Sequence, residues 1–238
     1  MRRLAAVAFL AVSLAASPAG ALSIELGAIA GGGPCFMFGS YLDAKTANLA
    51  LQGASGSTLG TSQSLFFPGL SAGLYGETPL LPWLDIRVEV RGSYLGASRL
   101  ALTASGAPLD AYGVGFYALE VPLLARAGLP LGPGRVTFSL GAFYGLVLAG
   151  VRVQDVYSST SAIAHVPLSF LQASMAGLSG GAGYAFRLGP GTLSAELRAD
   201  WTLLSARLDA GTGSGDLSPL NAVIFVSYGL VIGSVGGK

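Results

Sequence analysis

Charge is scarce in this sequence. Lysine and arginine number 13, aspartate and glutamate 12, so 11% of the 238 residues are charged, against a usual share of ~25%. The formal net charge is +1, which gives no basic surface for nucleic acid. Histidine and cysteine are nearly absent: His165 and Cys35 are the single copies. One of each excludes a metal site of the usual His/Cys type, and a lone cysteine excludes an internal disulfide. Gly31-Gly32-Gly33 is followed by no Lys-Ser/Thr pair, so it is not a phosphate-cradling loop. No cofactor and no metal are expected.

Long apolar runs are missing as well, although mean hydropathy is high at +0.62. The longest window after the N-terminus, Val136–Val151, is sixteen residues with three glycines, short of the ~20 of a spanning helix. The N-terminal run Leu4–Ala16 follows Arg2 and Arg3 and precedes Ala19-Gly20-Ala21. That arrangement reads as a secretory signal peptide, Met1–Ala21, cleaved after Ala21 and leaving residues 22–238 as one domain. Without Arg2 and Arg3 the net charge becomes −1. Cys35 lies too far past Ala21 for a lipid-anchored cysteine and reads as a small apolar filler near a strand end.

What the chain does have is glycine, 36 residues, and alternation. In Leu84–Tyr94, Leu84, Ile86, Val88, Val90 and Tyr94 take one phase and Asp85, Arg87, Glu89, Arg91 and Ser93 the other. In Leu193–Leu203, Leu193, Ala195, Leu197, Ala199, Trp201 and Leu203 alternate with Ser194, Glu196, Arg198, Asp200 and Thr202. Strands send alternate side chains to opposite faces, so each stretch has a greasy face and a polar one, over about the ten residues that a tilted strand needs to cross a bilayer. The pattern recurs from Ser23, near Phe66–Glu77, over Ala111–Ala127, from Arg135, over Leu171–Leu188 and over Asn221–Gly233, giving eight strands. Gly31-Gly32-Gly33-Pro34 closes the first. Thr78–Pro82, Leu129–Gly134 and Gly189–Gly191 are short turns. Phe36–Ser64, Ser98–Asp110, Asp155–Pro167 and Leu208–Pro219 are long loops. Connections that alternate long and short predict an all-β fold, an eight-stranded antiparallel up-and-down transmembrane β-barrel in a bacterial outer membrane with its long loops outside.

The inward phase then collects Glu25, Asp85, Glu89, Glu120, Glu196 and Asp200 against Arg87, Arg91, Arg126, Arg135, Arg187 and Arg198. Six acids against six arginines, inside a barrel just wide enough to be filled by side chains, predict a lumen held by ion pairs. Inward Gly141, Gly145, Gly181 and Gly183 leave room either for water pockets or for arginines lying flat. Outward Tyr94, Tyr144, Tyr184, Phe186, Trp201 and Tyr228, with Trp83, suit interfacial girdles.

The residues Ala118-Leu119-Glu120-Val121-Pro122-Leu123-Leu124-Ala125-Arg126 resemble a strand of the small outer-membrane β-barrel domain family, the PorT-like group, and the eight-strand layout resembles the OmpA/OmpX/OmpW type. The resemblance implies an integral outer-membrane protein, mostly without a defined activity, and carries over no catalytic residues. Many such barrels end in an aromatic residue read by the barrel assembly machinery; here the chain ends Tyr228–Lys238, with partial matches at Ser227, Gly229 and Ile232 and without the final Phe.

The expected function is therefore structural or surface-interacting, with outer-membrane lipid and the assembly machinery as partners and a surface ligand at the long loops. A narrow pore for small polar solutes or ions is the alternative. A rim enzyme using His165, near Asp155, Ser158, Ser159 and Ser161, is a lesser one, and the protein is expected not to be an enzyme. A soluble periplasmic β-protein is the reading from outside the membrane.

Overall fold

The computed structural model describes residues 22–40, 59–65, 67–103, 108–155, 164–167, 170–209 and 214–235. The expected signal peptide lies outside them. Twelve strands follow in order: β1 (Leu22–Phe38), β2 (Leu59–Leu65), β3 (Phe67–Leu81), β4 (Leu84–Thr103), β5 (Pro108–Leu131), β6 (Gly134–Asp155), β7 (Ala164–Pro167), β8 (Phe170–Gln172), β9 (Ser174–Leu188), β10 (Gly191–Leu204), β11 (Ala206–Asp209) and β12 (Ser214–Val235). Eight of them form a ring, β1-β3-β4-β5-β6-β9-β10-β12, closed by antiparallel pairing of β12 with β1. Closure leaves the ring without a free edge, the condition for strands in hydrocarbon, where unpaired N–H and C=O groups find no water.

The four short strands prolong the ring at the loop end. β2 pairs with the far part of β4, β7 with β6, and β11 with both β12 and β8. Three of the four loops are therefore much shorter than expected: Ser98–Asp110 is mostly strand, with β4 running to Thr103 and β5 starting at Pro108. Asp155–Pro167 ends in β7, which carries His165 opposite Val153. Leu208–Pro219 holds the end of β11 and the start of β12. Phe36–Ser64 gives up residues at both ends to β1 and β2. Past the membrane a ladder needs hydrogen bonds but no greasy face, so the hydropathy alternation fades while the strand continues.

Two breaks placed at prolines also dissolve. β1 runs through Gly31-Gly32-Gly33-Pro34, and the β1–β12 register skips Gly33 and Pro34. Pro79 lies inside β3 opposite Asp85, but the pairing of β3 with β1 stops at Glu77. Each proline thus sits where one neighbouring ladder is interrupted, the only place in a sheet where its missing N–H costs nothing. The true turns have two residues each: Pro82-Trp83, Gly132-Pro133 and Gly189-Pro190. Gly132 and Gly189 have φ of 59° and 60°. A type II′ hairpin needs positive φ at its first central position, and proline's fixed negative φ suits the second.

The strand phases match the alternation throughout. Leu74, Leu140, Leu197 and Ile224 are 60–69% exposed on the outer wall, whereas Arg87, Glu89, Arg91 and Arg198 are at most 1% exposed inside. The molecule is a closed eight-stranded transmembrane β-barrel, greasy outside and charged within.

Candidate functional site

The site is the lumen, and it has three levels. At the turn end lies an open vestibule of about 410 Å³, lined among others by Glu25, Glu77, Asp85, Arg135, Arg187 and Thr192. Above it a ladder of ion pairs crosses the lumen, and above that lies a buried cluster of apolar side chains at the loop end.

The ladder begins on Glu77. Its carboxylate receives Arg87 at 2.8 Å, Arg126 at 3.0 Å and Arg135 at 3.1 Å. Arg135 reaches on to Asp85 at 2.7 Å. Arg198 pairs with Glu89 at 2.7 Å and with Glu196 at 2.9 Å. Arg91 pairs with Glu120 at 2.8 Å and also with Asp200. Looser contacts tie these groups together: Arg87 to Glu89, Arg91 to Glu89 and Arg126 to Glu196, at 3.7 to 3.8 Å. Hydroxyls fill remaining acceptor positions. Ser93 donates to Glu120, Ser139 to Glu196 and Ser179 to Asp200. The guanidiniums also lie over aromatic faces, Arg87 over Tyr75 at 3.7 Å, and Arg198 and Arg91 over Phe225 at 4.8 and 5.1 Å. A buried charge removed from water is costly unless it is paired and hydrogen-bonded, and here most are both.

Ten of the twelve residues expected to share the lumen ion pairs lie in this ladder: Asp85, Arg87, Glu89, Arg91, Glu120, Arg126, Arg135, Glu196, Arg198 and Asp200. Two lie apart. Glu25 accepts from Tyr75 at 2.7 Å and Thr192 at 2.9 Å, and among the described residues no arginine pairs with it. Its level in the barrel is below Arg87, at the vestibule wall. Arg187 is exposed at the mouth and makes no ion pair among the described residues, because it sits one residue short of the turn, where water solvates it. The sequence reading missed Glu77, the most heavily used acid. Its signal was there: Gly69, Ser71, Gly73 and Tyr75 share the inward phase, and two more residues reach Glu77.

The apolar level was also missed. Cys35, Met37, Leu95, Phe116, Phe143 and Leu208 belong to one buried cluster inside the loop end of the barrel. Leu95 continues the inward phase of Ser93, and Phe116 and Phe143 take the inward phase of their strands, so the inside changes from charged to greasy along a single strand. The inward glycines are covered by neighbours. A Cβ on Gly145 would lie 2.8 Å from the Met175 methyl, and one on Gly181 would lie 2.9 Å from Glu196 Oε1. These glycines make room for side chains of the neighbouring strands.

Outside, Trp83, Tyr184, Phe186 and Tyr228 mark the turn end, and Phe36, Tyr94, Tyr117, Tyr144 and Trp201 the loop end. Tyr94 and Tyr117 stack with ring centroids 4.9 Å apart. Beyond them two outward charges, Arg207 and Asp216, pair at 3.4 Å. Two aromatic belts thus flank an exposed apolar wall, the arrangement of transmembrane barrels in general. Among the described residues no group of three His, Cys, Asp or Glu side chains is placed to hold a metal ion.

No described protein family matches the chain in sequence, and no curated protein is similar to it. The fold is nevertheless that of bacterial outer-membrane barrels. The chain superposes on the outer membrane protein OprG of Pseudomonas aeruginosa with a TM-score of 0.55 at 10% identity, over 92% of this chain and 99% of OprG. Neisserial surface protein A matches at a TM-score of 0.38 and 12% identity, over 89% of this chain and 98% of its own. Ail of Yersinia pestis matches at 0.29 and 12%, over 90% of this chain and all of Ail. At these identities the likeness is one of fold, and OprG carries it.

Proposed function

We propose that this protein is an integral barrel of a bacterial outer membrane whose lumen is sealed, and that it acts through its body and its surface-exposed end. The observation that carries this reading is the stacking of two different closures in one lumen: a ladder of six carboxylates and five arginines, then an apolar cluster. Either alone resists a hydrated ion. Every carboxylate of the ladder is already in contact with an arginine, and the cluster offers none of the polar groups that replace a hydration shell. The ladder fills and braces the barrel as its core.

The extended loop end supports the surface role. β5 is 24 residues long and β6 22, about twice the ~9–11 that a tilted crossing uses. A rigid sheet carried well past the membrane suits contact with a surface ligand. The PorT-like assignment rests on the wording of Ala118–Arg126. A rim enzyme would depend on His165, so a His165→Ala chain with unchanged lipid composition in the host membrane would remove that reading.

Two measurements test the proposal together. Membrane-fraction protein should shift on a denaturing gel between unboiled and boiled samples, as closed barrels do. Proteoliposomes of that same folded material should swell in small sugars and amino acids no faster than empty liposomes. Swelling at a porin-like rate would establish the narrow-pore alternative, and a soluble protein with no gel shift would overturn the membrane assignment.

A further inference from the structure

The turn end carries a surface that a water-exposed rim does not need. No charged residue occurs from Thr78 to Leu84, from Leu129 to Gly134 or from Leu188 to Gly191. Instead Leu80, Leu81, Trp83, Leu129, Leu131 and Leu188 are 44–60% exposed there. At ~3.4 Å per residue and a tilt of ~40°, an apolar band ~25 Å tall takes about ten residues of strand. On β5 the outward positions are apolar from Tyr117 to Leu131, fifteen residues, whose rises add up to roughly 36 Å at the same tilt. The surplus lies at the turn end, since among the described residues outward charge appears at the other end, with Arg207 and Asp216.

The backbone of the turns is also finished as if water were scarce. Five prolines, Pro82, Pro133 and Pro190 in the turns and Pro79 and Pro130 in the strand ends beside them, have no N–H donor to leave unpaired. The exposed carbonyls are capped from neighbouring strands. Tyr184 donates its hydroxyl to the Leu131 carbonyl at 2.9 Å and Tyr228 to the Leu188 carbonyl at 3.2 Å. The Gly128 N–H donates to the Trp83 carbonyl at 2.8 Å. Water would satisfy these groups at no cost; in lipid they must be satisfied within the protein.

We propose that the turn rim is itself a lipid-binding surface, sunk into the phospholipid leaflet at the level of the glycerol esters and upper acyl chains. The apolar collar of the three turns continues the lipid-facing wall without a break. The vestibule then opens among phospholipid headgroups, with Arg187 at its mouth.

Trp83 and Trp201 are the only tryptophans, so a Trp201→Phe chain reports on the Trp83 turn alone. The full chain is folded into phosphatidylcholine vesicles, with the gel shift on boiling as the check of folding. Its fluorescence is then challenged with acrylamide and with phosphatidylcholines brominated near the ester or deep in the chain. The expected result is blue-shifted emission, strongest quenching by the shallow bromines, and acrylamide quenching several-fold weaker than in the urea-unfolded chain. Emission and acrylamide quenching equal to those of the unfolded chain, without quenching by either brominated lipid, would overturn the proposal. If Trp201→Phe does not fold, a bimane fluorophore on Leu131→Cys in a Cys35→Ala chain reads a second turn against the same two outcomes.

Discussion

Arg198 Nη1 donates to Glu89 Oε2 at 2.7 Å, although the two residues stand on opposite walls of the barrel. In the ring β4 and β10 are four places apart out of eight, so this contact spans the lumen. Arg91 and Asp200 make a second crossing between the same two strands. On the proposed reading, opposite walls that touch through paired charges give the barrel a core in place of a channel.

Breaking the crossing leaves a charge buried in a site it cannot escape. Arg198→Ala is expected to cost roughly 3–5 kcal/mol, the penalty for an unpaired buried charge. Adding Glu89→Gln removes the stranded carboxylate and should recover part of that loss. Urea titration of the unboiled, heat-modifiable band measures both, and equal stability of the single and double variants would argue against the pairing.

Glu77 offers a sharper case, since three guanidiniums converge on it. Glu77→Ala should destabilise by at least as much as Arg198→Ala, again roughly 3–5 kcal/mol, whereas Glu25→Gln, which removes a carboxylate held only by two hydroxyls, should cost less. The same titration ranks the three, and a Glu25→Gln chain weaker than Glu77→Ala would contradict the assignment of the ladder.

These residues also show what the sequence makes legible. Leu84–Tyr94 and Leu193–Leu203 declare both faces of their strands, because a greasy wall and a charged lumen force strict alternation. Seven of the ladder's residues lie in those two stretches, and Glu120, Arg126 and Arg135 follow from the same alternation in β5 and β6. Glu77 escapes because Pro79 looks like a strand end, and only the ladder register reveals that its missing N–H has no partner there to lose. The apolar cluster escapes because Leu95, Phe116 and Phe143 are inward yet greasy, so periodicity no longer separates inside from outside. The length of β4, β5 and β6 escapes because their outer parts need no lipid-facing side. Pairings across the lumen, such as Arg198 with Glu89, depend on ring order and shear, which no single strand encodes.

Leu140 tests which medium the outer wall meets. It is 69% exposed, and on a soluble protein an exposed leucine changed to arginine costs little. In a bilayer Leu140→Arg should cost about 2–4 kcal/mol, falling toward ~0–1 kcal/mol for the same change near an interface. Refolding titrations in vesicles with Leu140→Arg and Leu204→Arg give the comparison, and equal, negligible costs would speak against lipid contact.

Phe116 tests the upper closure. It is fully buried, and its ring meets Phe170 edge-on at 6.4 Å. Phe116→Ala should destabilise by about 3–5 kcal/mol through the cavity it leaves, in the same range as a ladder variant though no charge is touched. A loss well under 1 kcal/mol would mean that the loop end is loosely filled.

The most direct test of a sealed lumen is electrical. Folded protein, verified by its shift on boiling, is inserted into a planar bilayer in molar salt, and current is recorded at steady voltage. The sealed barrel should give no discrete opening steps above the bare-membrane level, while a chain carrying Arg91→Ala, Arg198→Ala and Phe116→Ala together, if it folds, should begin to pass ions. Regular single-channel steps from the unaltered chain would show that the ladder and the apolar cluster open, and would contradict the account.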